Sequence, residues 1–127
     1  LLWPYYLRPY WGGKAGKYAA IAFGNAICCP SVTYHKAMLP DFQFDASFSV
    51  NLDWAAWREA ASRGGGFGYV RRPVMQHRIS AGMETRAAIQ DQRRYKEDLR
   101  MFETFWPGWM ARLLMRFYAV AYRQNRA

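Results

Sequence analysis

Pro107 constrains this chain more than any other single residue. It falls between two stretches of helical periodicity, and a proline inside a helix removes a backbone donor and clashes with the preceding turn. Upstream, from about Thr85 to Phe105, the residues Ile89, Tyr95, Leu99, Phe102 and Trp106 form one apolar stripe. Downstream, from Pro107 to about Gln124, Trp109, Leu113, Phe117 and Val120 form a second. Proline sits well at the first position of a helix, so Pro107 ends one helix and opens the next. Two amphipathic helices with so short a break are expected to pair as a hairpin or a sharp corner, stripes inward. Arg93, Arg94, Arg100, Arg112, Arg116 and Arg123 lie mostly off those stripes.

The remaining chain carries shorter signals. Leu1 to Gly13 is aromatic and punctuated by Pro4 and Pro9, an irregular segment expected to pack on something. Lys14 to Phe23 is alanine-rich and reads as a short helix, ended by a turn at Gly24 and Asn25. Ala26 to Tyr34 reads as a strand or extended stretch broken by Pro30. Asn51 or Asp53 can cap a helix running to about Ser62, on which Trp54, Trp57, Ala60 and Ala61 share a face. Gly64, Gly65 and Gly66 end that helix, Phe67 to Val70 reads as a short strand, and Val74 to Ile79 as a second extended piece. The glycine run matches no phosphate-loop pattern. The fold class expected is α/β, mostly helical, with a few short strands and a C-terminal helical pair. The division expected is 1–83 and 84–127.

Charge and cysteine usage bound the partners. The formal net charge of the 127 residues is +9. Residues 1–63 hold six Lys/Arg and four Asp/Glu, and residues 64–127 hold twelve and five, giving +2 and +7. A basic half favours anionic partners such as phosphates, nucleic acid or acidic lipid headgroups. Cys28 and Cys29 are adjacent, a poor geometry for a mutual bridge, and no zinc spacing occurs. Reduced thiols and a cytoplasmic location are the expectation. Pro4, Arg8 and Pro9 break any signal-peptide core, and the longest uncharged run, Tyr18 to Tyr34, is too short and interrupted to span a bilayer. Contact with a membrane surface stays open.

Three segments carry the chemistry: Phe23-Gly24-Asn25-Ala26-Ile27-Cys28-Cys29-Pro30-Ser31-Val32-Thr33-Tyr34, then Leu52-Asp53-Trp54-Ala55-Ala56-Trp57, then Met75-Gln76-His77-Arg78-Ile79-Ser80-Ala81-Gly82-Met83-Glu84-Thr85. Their order, with the Phe105-Trp106-Pro107 break behind them, resembles the acceptor-side, C-terminal half of bacterial family-2 glycosyltransferases with the GT-A fold. The resemblance covers about Gly24 to Asn125. It implies an incomplete GT-A-type domain and a complete enzyme that moves a sugar from a nucleotide-sugar to a hydroxyl of a cell-envelope glycan or lipid-linked saccharide.

Residue roles follow from that likeness. Asp53 corresponds to the general base that deprotonates the acceptor hydroxyl; the bare residue reading is a helix N-cap, and one residue can be both. Asn25, Ser31 and Trp54 correspond to acceptor-facing positions, and His77 and Arg78 to the stretch near the donor diphosphate. The family's second histidine is Ser80 here, so no metal ligand is assigned. A divalent metal, Mg or Mn, is implied for the complete enzyme. The nucleotide-binding half and its DxD acidic pair are not found in these residues, so the chain is expected to be a fragment, or one half of a split enzyme whose N-terminal half is another chain, and inactive alone. The alternative reading is a basic, aromatic-rich module for nucleic acid or an anionic membrane surface. No nucleic-acid-binding motif supports its first form.

Overall fold

The computed structural model describes residue 5, residues 7–76 and residues 93–124. These form four helices and a two-stranded sheet, a mostly helical arrangement consistent with a small α/β domain. Strand β1 (Tyr10–Gly12) runs directly into helix α1 (Gly13–Ile21), and a long irregular stretch leads to α2 (Leu52–Ser62). Strand β2 (Gly66–Gly68) follows and pairs antiparallel with β1, Trp11 opposite Phe67. Helices α3 (Arg93–Glu103) and α4 (Gly108–Gln124) close the described chain.

The break at Pro107 forms as its chemistry requires. The Pro107 carbonyl accepts from the Met110 and Ala111 N–H groups, each at 2.9 Å, so proline caps α4 from just outside it. Phe105 and Trp106 turn back onto the Phe102 carbonyl, and the Trp106 indole N–H reaches the Ala22 carbonyl at 2.8 Å. That last bond fastens the corner between α3 and α4 to the end of α1.

The core sits between α2 and the α3–α4 pair, with Ile21 of α1 and Phe48 of the loop added to it. Trp54, Trp57, Ala60 and Ala61 are all buried, as their spacing on α2 predicts, and Ala56 joins them. Phe102 meets Trp54 edge-on at 5.1 Å and Tyr118 edge-on at 5.4 Å. The Trp54 indole N–H donates to Ile21 O at 3.0 Å, joining the first turn of α2 to the last residue of α1.

Lys17 makes a second junction between the same helices. Its side chain is buried, and Nζ donates to Ala60 O at 3.5 Å, Arg63 O at 2.6 Å and Gly64 O at 3.3 Å. Ala60 lies in the last turn of α2, where its carbonyl also accepts from the Arg63 N–H at 3.3 Å, and Arg63 and Gly64 follow directly, so the cation complements the helix dipole at this end. Burial holds the Lys17 pKa below its ordinary value.

Two expectations are corrected. Ala26 to Tyr34 is not a strand: Cys29–Ser31 is a single 3-10 turn. Pro30 fits its start, while the Ser31 N–H and hydroxyl both donate to Cys28 O, at 2.9 and 2.6 Å. Local closure wins over the β-propensity of Val32 and Thr33.

The second correction concerns α4. Its buried residues are Ala111 and Met115, with Leu114 and Tyr118 partly buried against the core. Trp109, Leu113, Phe117 and Val120, expected to face inward, are exposed. The helix carries two apolar faces, and the one bearing Ala111, Leu114, Met115 and Tyr118 meets the core. On α3, Phe102 is buried and Leu99 partly so, whereas Tyr95 is exposed and Met101 takes a core position. The expected helix from Thr85 is described only from Arg93, and Val74 to Gln76 has no regular structure. The remainder of both segments lies outside the described residues.

Gly24 is the one glycine of the acceptor-like segment, and its backbone needs it. Its φ is +139°, and a Cβ there would stand 2.7 Å from the Tyr118 ring. Gly24→Ala is therefore expected to lower stability by about 1–3 kcal/mol through backbone strain, with ring displacement added, as read by urea unfolding. An unchanged midpoint would mean that the turn relaxes without penalty.

Candidate functional site

Asp53 lies in the first turn of α2, half-buried, with Asn51 at the N-cap position. It is not the N-cap itself. One carboxylate oxygen, Oδ1, accepts from the Trp54 N–H at 2.7 Å. The Asn25 side chain, in the turn after α1, lies near enough to draw the Asp53 pKa down. Asn25 Oδ1 accepts from the Ile27 N–H at 3.1 Å, which leaves its amide N–H₂ for other partners. Two residues 28 positions apart in sequence thus meet at one place.

Burial pushes the Asp53 carboxyl above its ordinary pKa. The Trp54 N–H, the Asn25 amide and the positive charge of Arg94 pull it down, and burial prevails. Cys29 belongs to the same neighbourhood: burial first, then the Asp53 charge and Cys28, raise its pKa. Tyr34 is raised by burial and by Cys29, and its ring lies 6.0 Å from that of Trp57. The Trp57 indole N–H is buried with no acceptor among the described residues. The site is therefore a carboxylate with a raised pKa, an amide beside it, and a thiol and a phenol nearby.

The first turn of α2 is held by a carboxylate from another helix. Asn51, the N-cap residue, does not cap with its side chain; it donates to buried Asp98 of α3 at 2.7 Å. The capping falls to Glu97. Its Oε1 accepts from the Ser49 N–H at 2.9 Å and the Ser49 hydroxyl at 2.8 Å, and its Oε2 from the Val50 and Asn51 N–H groups, each at 2.9 Å. Arg100 adds a hydrogen bond to Ser47 Oγ at 3.0 Å and stacks on Phe48 at 4.1 Å. The turn that presents Asp53 is thus clamped from α3.

A pH effect follows from this clamp. Partial burial would raise the Glu97 pKa, but the bonds from Asn51, Ser49 and Val50 outweigh it and the net shift is downward. The folded pKa is below the unfolded one, so the stabilisation is present above the unfolded value and disappears as pH falls through the folded value. Glu97→Gln is expected to reduce stability by about 1–3 kcal/mol at neutral pH, measured by urea unfolding. The gap between wild type and variant should close as the solution is acidified below the ordinary glutamate range. A gap independent of pH would overturn the clamp as an ionic one.

Other expected site residues are placed as follows. Trp54 has no exposed surface; its ring fills the core and offers no face to an acceptor. Ser31 is exposed, with its hydroxyl donating to Cys28 O inside the 3-10 turn. Cys28 is exposed and Cys29 partly buried. His77 and Arg78, with Ser80, lie outside the described residues. Arg94, Cys29 and Tyr34 were not singled out as site residues from sequence. Arg94 gave a weak signal as one of several basic residues in the C-terminal helices, and nothing local joins it to Asp53.

A separate surface pocket of about 230 Å³ is lined by Asp45, Phe48, Ala55, Arg58, Glu59 and Thr104 among others. At about 100° per residue, Ala55, Arg58 and Glu59 lie on the side of α2 away from Asp53. Among the described residues no group of three or more His, Cys, Asp or Glu is placed to hold a metal ion. No helix among them is long and apolar enough to cross a membrane.

No family model matches the chain, and no curated protein or solved structure is significantly similar to it.

Proposed function

We propose that this chain provides the acceptor side of a glycosyl transfer, as part of a GT-A-type enzyme. The observation that carries the reading is the junction of Asp53 with Asn25. A carboxylate with a raised pKa, half-open to solvent and with an amide beside it, suits a general base for a sugar hydroxyl. The two residues come from the two segments whose order resembles family-2 glycosyltransferases.

In this reading the acceptor hydroxyl donates to Asp53. A carboxylate has about four lone-pair sites, and the bond from the Trp54 N–H leaves sites for an incoming hydroxyl. As the hydroxyl oxygen attacks the anomeric carbon of the donor, its proton passes to Asp53. The nucleotide diphosphate departs with the bonding electrons. Arg94 adds positive charge that favours the ionised base before attack. In the same proposal an N-terminal half on another chain would bind the donor nucleotide-sugar, with a divalent cation on its diphosphate.

The reading is tested in extracts of cells that produce this chain. Labelled nucleotide-sugars are supplied, and incorporation into envelope glycan or lipid-linked saccharide is followed. Incorporation should depend on the chain and be lost with Asp53→Asn. Chain-dependent incorporation that survives this substitution would remove Asp53 from the chemistry, and no chain-dependent incorporation with any donor would remove the reading.

A further inference from the structure

The exposed ridge of α4 is the largest departure of this molecule from its expected packing. Trp109, Leu113, Phe117 and Val120 are 63%, 44%, 70% and 53% exposed. They recur at spacings of four, four and three, and at about 100° per residue they fit within an arc of about 80°. Ala111 and Met115, which are buried, lie on the opposite side. Large apolar side chains aligned this way on a helix surface mark a contact face.

The charges beside the ridge say what kind of partner fits. Arg112 and Arg116 are exposed and border the apolar arc on one side. Neither makes an ion pair among the described residues. The 17 residues of α4 contain no Asp or Glu. The chain as a whole carries +9. A second copy docked ridge to ridge would bring arginine rows together with no carboxylate on either helix to meet them. An apolar arc edged by arginines, with a tryptophan near its start, fits the boundary of an anionic bilayer instead. The apolar side chains enter the acyl region while the arginines reach up to the headgroups. The helix lies in the plane of the surface, since it is not apolar enough to cross.

We propose that α4 is an interfacial helix that docks this chain on anionic lipid bilayers through Trp109, Leu113, Phe117 and Val120, with Arg112 and Arg116 on the headgroups.

The test is sedimentation of the purified chain with phosphatidylcholine vesicles, with and without phosphatidylglycerol. Binding is expected to vesicles containing phosphatidylglycerol and to be at least roughly tenfold weaker on phosphatidylcholine alone. The pair Trp109→Ser and Phe117→Ser should weaken binding by more than about tenfold. The pair Arg112→Gln and Arg116→Gln should weaken it by roughly fivefold per arginine, and serves as the second arm if the ridge variant fails to fold. Lipids brominated in the acyl chains should quench the wild-type tryptophan emission and quench Trp109→Phe much less. Absence of vesicle binding, equal binding to both lipid compositions, or a folded ridge variant that binds as well as wild type each overturns the proposal. A concentration-dependent dimer that the ridge substitutions abolish, without vesicle binding, would assign the face to a second copy. Vesicle binding involves no transfer chemistry, so either result leaves the acceptor-side reading where it stands.

Discussion

Trp54→Ala is expected to destabilise the chain by about 3–5 kcal/mol from the lost burial and the remaining cavity. A further contribution of about 0.5–1.5 kcal/mol arises from losing the indole bond to the Ile21 carbonyl, which keeps only the long contact from the Gly24 N–H at 3.5 Å. Trp54 has no exposed surface, packs edge-on against Phe102, and is the donor that joins α2 to α1. A domain of this size has a total stability of about 5–15 kcal/mol, so the variant should be unfolded or close to it. Trp54→Phe separates the two contributions. It keeps most of the ring volume and loses the indole N–H, so its loss should be near the hydrogen-bond figure alone. Urea unfolding and near-ultraviolet circular dichroism read both variants. If Trp54→Phe were as damaging as Trp54→Ala, the Ile21 bond would outweigh the packing, contrary to this account. The residue also matters to the site, because it is the neighbour of Asp53 and fixes the turn from which Asp53 projects.

Asp53→Asn should act in the opposite sense on stability and strongly on transfer. Loss of a positioned general base lowers transfer by roughly 10²–10⁴-fold. Burial is the largest influence on the Asp53 carboxyl and raises its pKa. Its folded pKa therefore exceeds its unfolded one. The stability it contributes is present below the unfolded pKa and is lost as pH rises through the folded pKa. At neutral pH the ionised group opposes folding, and a neutral amide of the same shape removes that opposition while still accepting from Trp54. Asp53→Asn should hold or raise the unfolding midpoint at neutral pH while abolishing incorporation. The acid limb of the wild-type transfer profile should stand above the ordinary aspartate range. A variant that loses stability and activity together would mark Asp53 as a structural residue.

Helices ruled by local chemistry were legible in the sequence. The α2 helix, expected to start from a cap at Asn51 or Asp53 and run to about Ser62, spans Leu52–Ser62, and the helix expected from Pro107 spans Gly108–Gln124. Proline, glycine and apolar spacing act within a turn or two, so a linear reading captures them. Of the candidate site, Asp53 and Asn25 were named from the sequence and lie near one another, whereas Trp54, also named, is buried in the core. What escaped is non-local. Glu97 caps a turn 46–48 residues before it, and nothing around either partner announces the bond. Arg94 reaches the Asp53 neighbourhood from 41 positions further along the chain. On α4, periodicity revealed an apolar stripe but could not choose between two apolar faces. The bond from Trp106 to Ala22 helps fix how the corner sits, and Ala111 and Met115 face inward.

The ammonium of Lys17 bears on how this chain can be divided and recombined. It gathers carbonyls 43, 46 and 47 residues downstream, while β1 and β2 pair residues 54–58 positions apart. A graft that carried β1 and α1 into another protein without α2 and β2 would bring along a buried cation stripped of its acceptors. Residues 10–21 and 52–68 therefore have to travel together in any recombined chain.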